Sequence, residues 1–298
     1  MLTGIHIVII GGDARQLEVI EKLNNLDAQL DLVGFDQLDH YFHGANKMDL
    51  EDIDPSTVDV IALPVSGASD EGHVESLFTN KKIQLTKEWL HQTPEHCVIY
   101  TGIPTSYLLE CEAECGISLV KLFERDDVAI YNSVPTVEGT LMMVIQNTDI
   151  TIHRSNVIIL GLGRTGMSLA RTFDALGAYV KVGARRPEHI ARITEMGLEP
   201  FHIKDLENQV TDVDVMVNTI PAKVITSLVL SKMPSRALIV DVASKPGGTD
   251  FRYAEKRGIK AILAPGIPGI VAPKTAGQII ANVLSELLLE RFKKEGEV

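Results

Sequence analysis

The chain has 298 residues, 40 acidic against 28 basic side chains, and a formal net charge of −12. That length fits two domains of ordinary size, and 45% hydrophobic residues supply a core for each. The charge argues against a nucleic-acid surface, which needs clustered cations, but local Arg and Lys can still hold anionic small molecules.

In chain order, Met1-Leu2-Thr3-Gly4 leads directly into a strand, so no signal peptide is expected. No apolar run reaches the roughly 18 residues of a membrane span. His6–Ile10, Leu30–Phe35, Asp59–Leu63, Cys97–Thr101 and Ser118–Leu122 read as strands. Leu17–Asn24 suits a helix, as does the stretch from Pro104 to Gly116. Such alternation predicts a parallel sheet with helices on both faces. Val134–Thr148 reads as a crossing helix opened by Pro135, and Asp149–Asn156 as a polar linker. Strands are then expected at Val157–Leu160, Ala178–Val182, Val213–Asn218, Ala237–Val242 and Lys260–Leu263, before a final helix over Ala276–Lys294. The fold class is α/β, with two doubly wound, Rossmann-like parallel-sheet domains and an interdomain cleft. Residues 1–133 form the substrate domain, with helices 134–150 and 276–298 packing on it. Residues 151–275 form the dinucleotide-binding domain.

The most informative motif is Gly161-Leu162-Gly163-Arg164-Thr165-Gly166, between an apolar strand and an amphipathic helix. The first Gly permits a tight turn and the second lets backbone N–H groups approach a pyrophosphate. The third lets helix and strand pack closely. The next strand ends in Gly183-Ala184-Arg185-Arg186, where an NAD site places a carboxylate for the ribose 2′-OH. Two guanidinium groups and no acid point to a 2′-phosphate, hence NADP. Thr219-Ile220-Pro221, Ala243-Ser244 and the run Pro265–Thr275 follow later strands and read as further cofactor contacts. In that run Pro265, Gly266, Pro268, Lys274 and Thr275 are the candidates, on a rigid loop near the nicotinamide.

Gly11-Gly12-Asp13 lacks the three-glycine spacing, so a second complete dinucleotide site is not expected. A smaller substrate would be held by backbone N–H groups, Arg15, Ser66 and Thr101, with Arg15 either clamping a carboxylate or lying on the surface. Ser133 and Thr136 fall at the expected start of the crossing helix, where they would cap it or receive an anion. Cys97, Cys111 and Cys115 are unlike a disulfide framework, and the nine His show no ligand spacing, so no metal is expected. There is no GxSxG elbow, and no side chain stands out as a general base. Hydride transfer, with a cofactor carrying the chemistry, is the economical reading.

Taken together, the Gly161–Gly166 turn, Gly183–Arg186, Asn218–Ala222, Asp241–Gly248, Pro265–Thr275 and Tyr131–Gly139 resemble the dipicolinate synthase A-subunit family over essentially the whole chain. Single motifs are shared more widely: Pro268–Thr275 is similar to a loop of methylenetetrahydrofolate dehydrogenases, and Asp241–Gly248 to one of 2-hydroxyacid dehydrogenases. The resemblance implies oxidation of dihydrodipicolinate, formed from 4-hydroxy-tetrahydrodipicolinate, to dipicolinate, with NADP accepting the hydride. It also implies that the partner would be the flavoprotein-like dipicolinate synthase B-subunit and the setting the mother-cell cytoplasm of an endospore former. A homo-oligomer of the chain is expected as well. Two alternatives stay open: another NADP-dependent folate or imino-acid dehydrogenase, and a non-catalytic NADP-sensing subunit.

Overall fold

The computed structural model describes residues 1–293, so 294–298 of the expected final helix lie outside the described residues. Contacts divide the chain into two compact units, Met1–Ala129 together with the residues from Ala272 onward, and Ile130–Val271.

In the first unit the order is β1 (His6–Ile10), α1 (Arg15–Asn24), β2 (Gln29–Val33), β3 (Ala45–Met48), β4 (Val60–Ala62), β5 (His73–Val74), β6 (Ile83–Gln84), α2 (Lys87–Leu90), β7 (Val98–Thr101), α3 (Ser106–Cys115) and β8 (Ser118–Lys121). Six strands form one sheet in the order β3-β2-β1-β4-β7-β8, and every pairing in it is parallel. β5 and β6 form a separate antiparallel hairpin. All five residues of β1 are buried, and their side chains alternate between two layers. Ile7 and Ile9 join one core with Val19, Ile20 and Leu23 of α1, while Val8 and Ile10 join the opposite one with Ile61, Ile99 and Leu108.

α4 (Asp126–Asn147) carries the chain into the second unit. There follow β9 (Asn156–Leu160), α5 (Arg164–Ala175), β10 (Tyr179–Ala184), α6 (Pro187–Glu195), β11 (Glu199–His202), α7 (Leu206–Gln209), β12 (Val215–Asn218), α8 (Ser227–Lys232), β13 (Leu238–Asp241), α9 (Phe251–Lys256), β14 (Lys260–Leu263) and α10 (Ile267–Val271). The sheet order is β11-β10-β9-β12-β13-β14, again all parallel. Val157 and Ile159 pack with Leu169, Ala170 and Phe173 of α5, while Ile158 and Leu160 face Val229 and Leu230 of α8. Both units therefore use the doubly wound order 3-2-1-4-5-6. α11 (Pro273–Arg291) returns to the first unit, where Val283, Leu284 and Leu288 complete the core beside α1. A Cβ on Gly277 would lie 2.5 Å from the Arg15 carbonyl oxygen, so only glycine lets α11 lie this close to α1.

Three sequence expectations change. The crossing helix starts at Asp126 rather than at Val134, and Pro135 sits inside it. Its Val137 and Val144 lie in the core of the second unit, whereas the sequence reading packs this helix on the first. Length and composition alone would let α4 cross a membrane, but part of that stretch is core of the second unit. The expected rigid loop Pro265–Thr275 is mostly helical, as α10 and the first turn of α11, because Pro268 and Pro273 fall in first turns that need no donor N–H.

Candidate functional site

In the second unit the Gly-rich turn leaves β9 and opens α5. Gly161 has φ +95, and a Cβ there would lie 2.5 Å from the Thr219 hydroxyl oxygen. A Cβ on Gly166 would collide with the Gly161 carbonyl. Gly163 is different, because nothing lies within 4 Å of where its Cβ would be. It is also the N-cap of α5, and as a glycine it offers no side-chain cap to the helix start. N–H groups beside open space, at the positive end of a helix dipole, are an arrangement able to receive an anion. Arg164 and Thr165 occupy the first turn of the same helix.

The wall is built from the carboxyl ends of β10, β12 and β13. Ala184 ends β10 in the core, and Arg185 and Arg186 follow it, both exposed. Arg186 pairs with Glu188 at 3.2 Å and touches His189. Among the described residues no ion pair engages Arg185. The Thr219 hydroxyl donates to the Leu160 carbonyl at 2.8 Å, which ties the β12 loop to the strand before the turn. Ile220 and Pro221 continue that loop.

A latch that sequence reasoning missed fixes the neighbouring loops. Asp241 is fully buried. Its carboxylate accepts from Asn218 Nδ2 at 2.9 Å, Ala243 N at 3.2 Å, Gly248 N at 2.8 Å and Thr249 Oγ1 at 2.6 Å. Asn218 Oδ1 in turn accepts from the Ile220 N–H at 3.1 Å. Ala243 and Ser244 are thus held by a carboxylate whose oxygens all have donors, as a buried charge requires. An Asn and an Asp closing adjacent apolar strands were the available signal. Pro265 and Gly266 follow β14, and Pro268 lies in α10. Lys274 and Thr275 lie on the first turn of α11 and belong to the first unit.

The first unit presents a crevice of about 570 Å³ whose wall includes Asp13, Arg15, Pro64, Ser66, Lys81 and Lys82. The loops after β1 and β4 line it, which places it beyond the strand ends at the topological switch point. Arg15 is already engaged: its Nη2 donates to Asp13 Oδ2 at 2.6 Å and its Nε to Oδ1 at 2.9 Å. Asp13 Oδ1 also accepts the Arg15 backbone N–H at 3.0 Å, so a carboxylate of the chain itself sits at the start of α1. Burial raises the Asp13 pKa, but the hydrogen bonds and charge of Arg15 outweigh it and hold the carboxyl below its ordinary value. Gly12 N–H donates to the Glu75 carbonyl at 2.8 Å, and Leu77 N–H returns a bond to the Gly12 carbonyl at 2.8 Å.

The remaining candidates take other roles. Thr101 is fully buried at the end of β7, with weak bonds to the Pro64 and Ile103 carbonyls at 3.4 Å. Ser133 and Thr136 are not at a helix start, because α4 has already run for two turns there. The Ser133 hydroxyl donates to the Ile130 carbonyl and meets the Ser168 hydroxyl at 2.9 Å, and Thr136 donates to the Asn132 carbonyl at 2.7 Å. Such back-bonds go to helix carbonyls within one turn and leave these hydroxyls without a capping role. Cys97 is buried, and burial pushes its thiol up to about 11. No group of three or more metal-ligating side chains occurs among the described residues.

A doubly wound sheet with a bare glycine-rich helix start defines a dinucleotide-binding protein of the dehydrogenase class. Residues 132–298 match the alanine dehydrogenase/PNT C-terminal domain, and residues 6–123 match the N-terminal domain of the dipicolinate synthase A-subunit. The dipicolinate synthase A-subunit of Bacillus subtilis (strain 168) is 60% identical over 297 residues, covering 100% of both chains. A crystal structure of the dipicolinate synthase A-subunit from Bacillus halodurans superposes with a TM-score of 0.94 at 61% identity, over 97% of this chain and 99% of that one. The A chain of dipicolinate synthase from Bacillus subtilis superposes at 0.96 with 60% identity, over 99% of each. The chain belongs to the dipicolinate synthase A-subunit family. Its dehydrogenase-type domain goes with a nicotinamide cofactor and an oxidoreductase role.

Proposed function

We propose that the chain is an NADP-dependent oxidoreductase that converts dihydrodipicolinate, formed by dehydration of 4-hydroxy-tetrahydrodipicolinate, into pyridine-2,6-dicarboxylate. The observation that carries this reading is the second unit's combination of an open, uncapped α5 start with an acid-free β10 end bearing Arg185 and Arg186. The α5 N–H groups would hold the diphosphate, and the two guanidinium groups the 2′-phosphate. Thr219, Ile220, Pro221, Ala243, Ser244, Pro265, Gly266 and Pro268 would shape the rest of the cofactor wall. A nicotinamide bound there would supply the hydride acceptor.

The substrate reading rests on the first unit's crevice, with Ser66 and the Asp13-bound Arg15 in its wall. Oxidation removes one hydride and one proton and leaves an aromatic ring. The product is therefore favoured, and holding the C–H bond in line accounts for much of the rate. The family name supports a second, partner B-subunit. The family resemblance supports spore formation, in the mother-cell cytoplasm, as the setting of the reaction.

The test mixes the purified chain, NADP and freshly generated 4-hydroxy-tetrahydrodipicolinate, with and without the B-subunit, and follows NADPH absorbance. NADPH from the chain alone supports hydride transfer here, with the partner accessory. NADPH only with the partner present makes this chain the cofactor-holding half of a shared site. Absence of NADPH in both mixtures overturns the reading.

A further inference from the structure

We infer that Lys82 is the cation that recognises one carboxylate of the substrate in the first unit's crevice. This rests on the reading that the crevice holds the substrate.

Three observations lead there. First, the crevice stands at the switch point, yet its diphosphate position is filled from within. The Asp13 carboxylate takes the first N–H of α1 and the Glu75 carbonyl takes the Gly12 N–H, so two of the donors a diphosphate would use are already engaged. The space of about 570 Å³ instead suits a compact molecule.

Second, the wall carries three cations, and two are committed. Arg15 is bound to both oxygens of Asp13. Lys81 Nζ holds both oxygens of Asp49, each at 2.7 Å. Lys82 is exposed, and among the described residues no hydrogen bond or ion pair engages it. In a chain of net charge −12, a positive group left without a partner in a crevice stands out.

Third, Lys82 also lines the neighbouring cavity of about 410 Å³, so it sits on the partition between the two spaces. Its flexible stem can turn the ammonium into the crevice when a carboxylate arrives. Asp13 and Glu75 line the same crevice, so a dianion there gains from a cation that is not already paired.

The experiment titrates the full chain with pyridine-2,6-dicarboxylate and with the monocarboxylate pyridine-2-carboxylate by calorimetry. Lys82→Ala is expected to weaken the dicarboxylate about tenfold or more, the scale of a lost charge-assisted hydrogen bond. It should also abolish the preference for two carboxylates over one, while NADP affinity stays unchanged. Lys82→Arg should keep most of the preference. Ser66→Phe, which fills the crevice, serves as the control for location. If Ser66→Phe blocks the dicarboxylate but Lys82→Ala binds it like wild type, Lys82 is not the recognition cation and the crevice reading stands. If neither substitution changes binding, the crevice itself is not the substrate site.

Discussion

The two units share one strand order but treat the start of their first helix oppositely. In the second unit Gly163 leaves the α5 N-terminus bare. In the first, the Asp13 carboxylate accepts the first N–H of α1 and the chain around Glu75 folds over Gly12. An anion from outside is invited in one case and replaced by the chain's own oxygens in the other. The lesson is that topology supplies the crevice, whereas a few side chains near the strand ends decide whether phosphate can enter it.

The largest expected effect tests the wall of the open unit. Asp241→Ala strips a carboxylate from four buried or partly buried donors, and should cost about 3 kcal/mol or more in urea unfolding. A cost below about 1 kcal/mol would mean that the β12 and β13 loops are held by something else.

Gly163→Asp copies the first unit's device into the second. A carboxylate at the α5 start should compete with the diphosphate and weaken NADP about 100-fold, the scale of lost charge-assisted bonds plus like-charge repulsion, with little change in Tm. Undiminished NADP binding, read by fluorescence titration, would erase the proposed difference between the units.

Arg185→Ala combined with Arg186→Ala should weaken NADP about tenfold or more and leave NAD within about twofold. Equal losses for both cofactors would reject the 2′-phosphate assignment.

The smallest effect concerns the capped unit. Because the folded-state pKa of Asp13 is lowered, its stabilisation is complete above the unfolded carboxylate value of about 4 and fades as pH falls through the folded value. Asp13→Asn should therefore destabilise at neutral pH by about 1 kcal/mol, partly exposed as the pair is, and flatten the acid limb of a stability-versus-pH curve. Parallel curves for both proteins below about pH 4 would show that Asp13 contributes nothing.

Sequence carried the β1, β4, β9 and β12 frames well, because their apolar runs are buried on both faces. The Gly161–Gly166 motif was equally legible, since Gly161 and Gly166 each have a steric reason that the structure displays and Gly163 leaves the helix start open. The edge strands β3 and β11 escaped because they are short and only partly buried. β5 and β6 have two residues each, too few for any period to register. The start of α4 was misplaced because Pro135, which sits inside the helix, imitates a first-turn proline. The Asp13–Arg15 clasp was invisible for a different reason. Sequence shows that both charges exist but not that they neutralise each other.

The return of α11 to α1 has a consequence for biosynthesis. Residues 130–271 emerge from the ribosome as an uninterrupted unit and can complete their core while the chain is still growing. The first unit, although it emerges earlier, completes the core around Ile7, Ile20 and Leu23 only when Val283, Leu284 and Leu288 arrive. The segment made first is thus finished last, and it is the half that needs shelter from aggregation during translation.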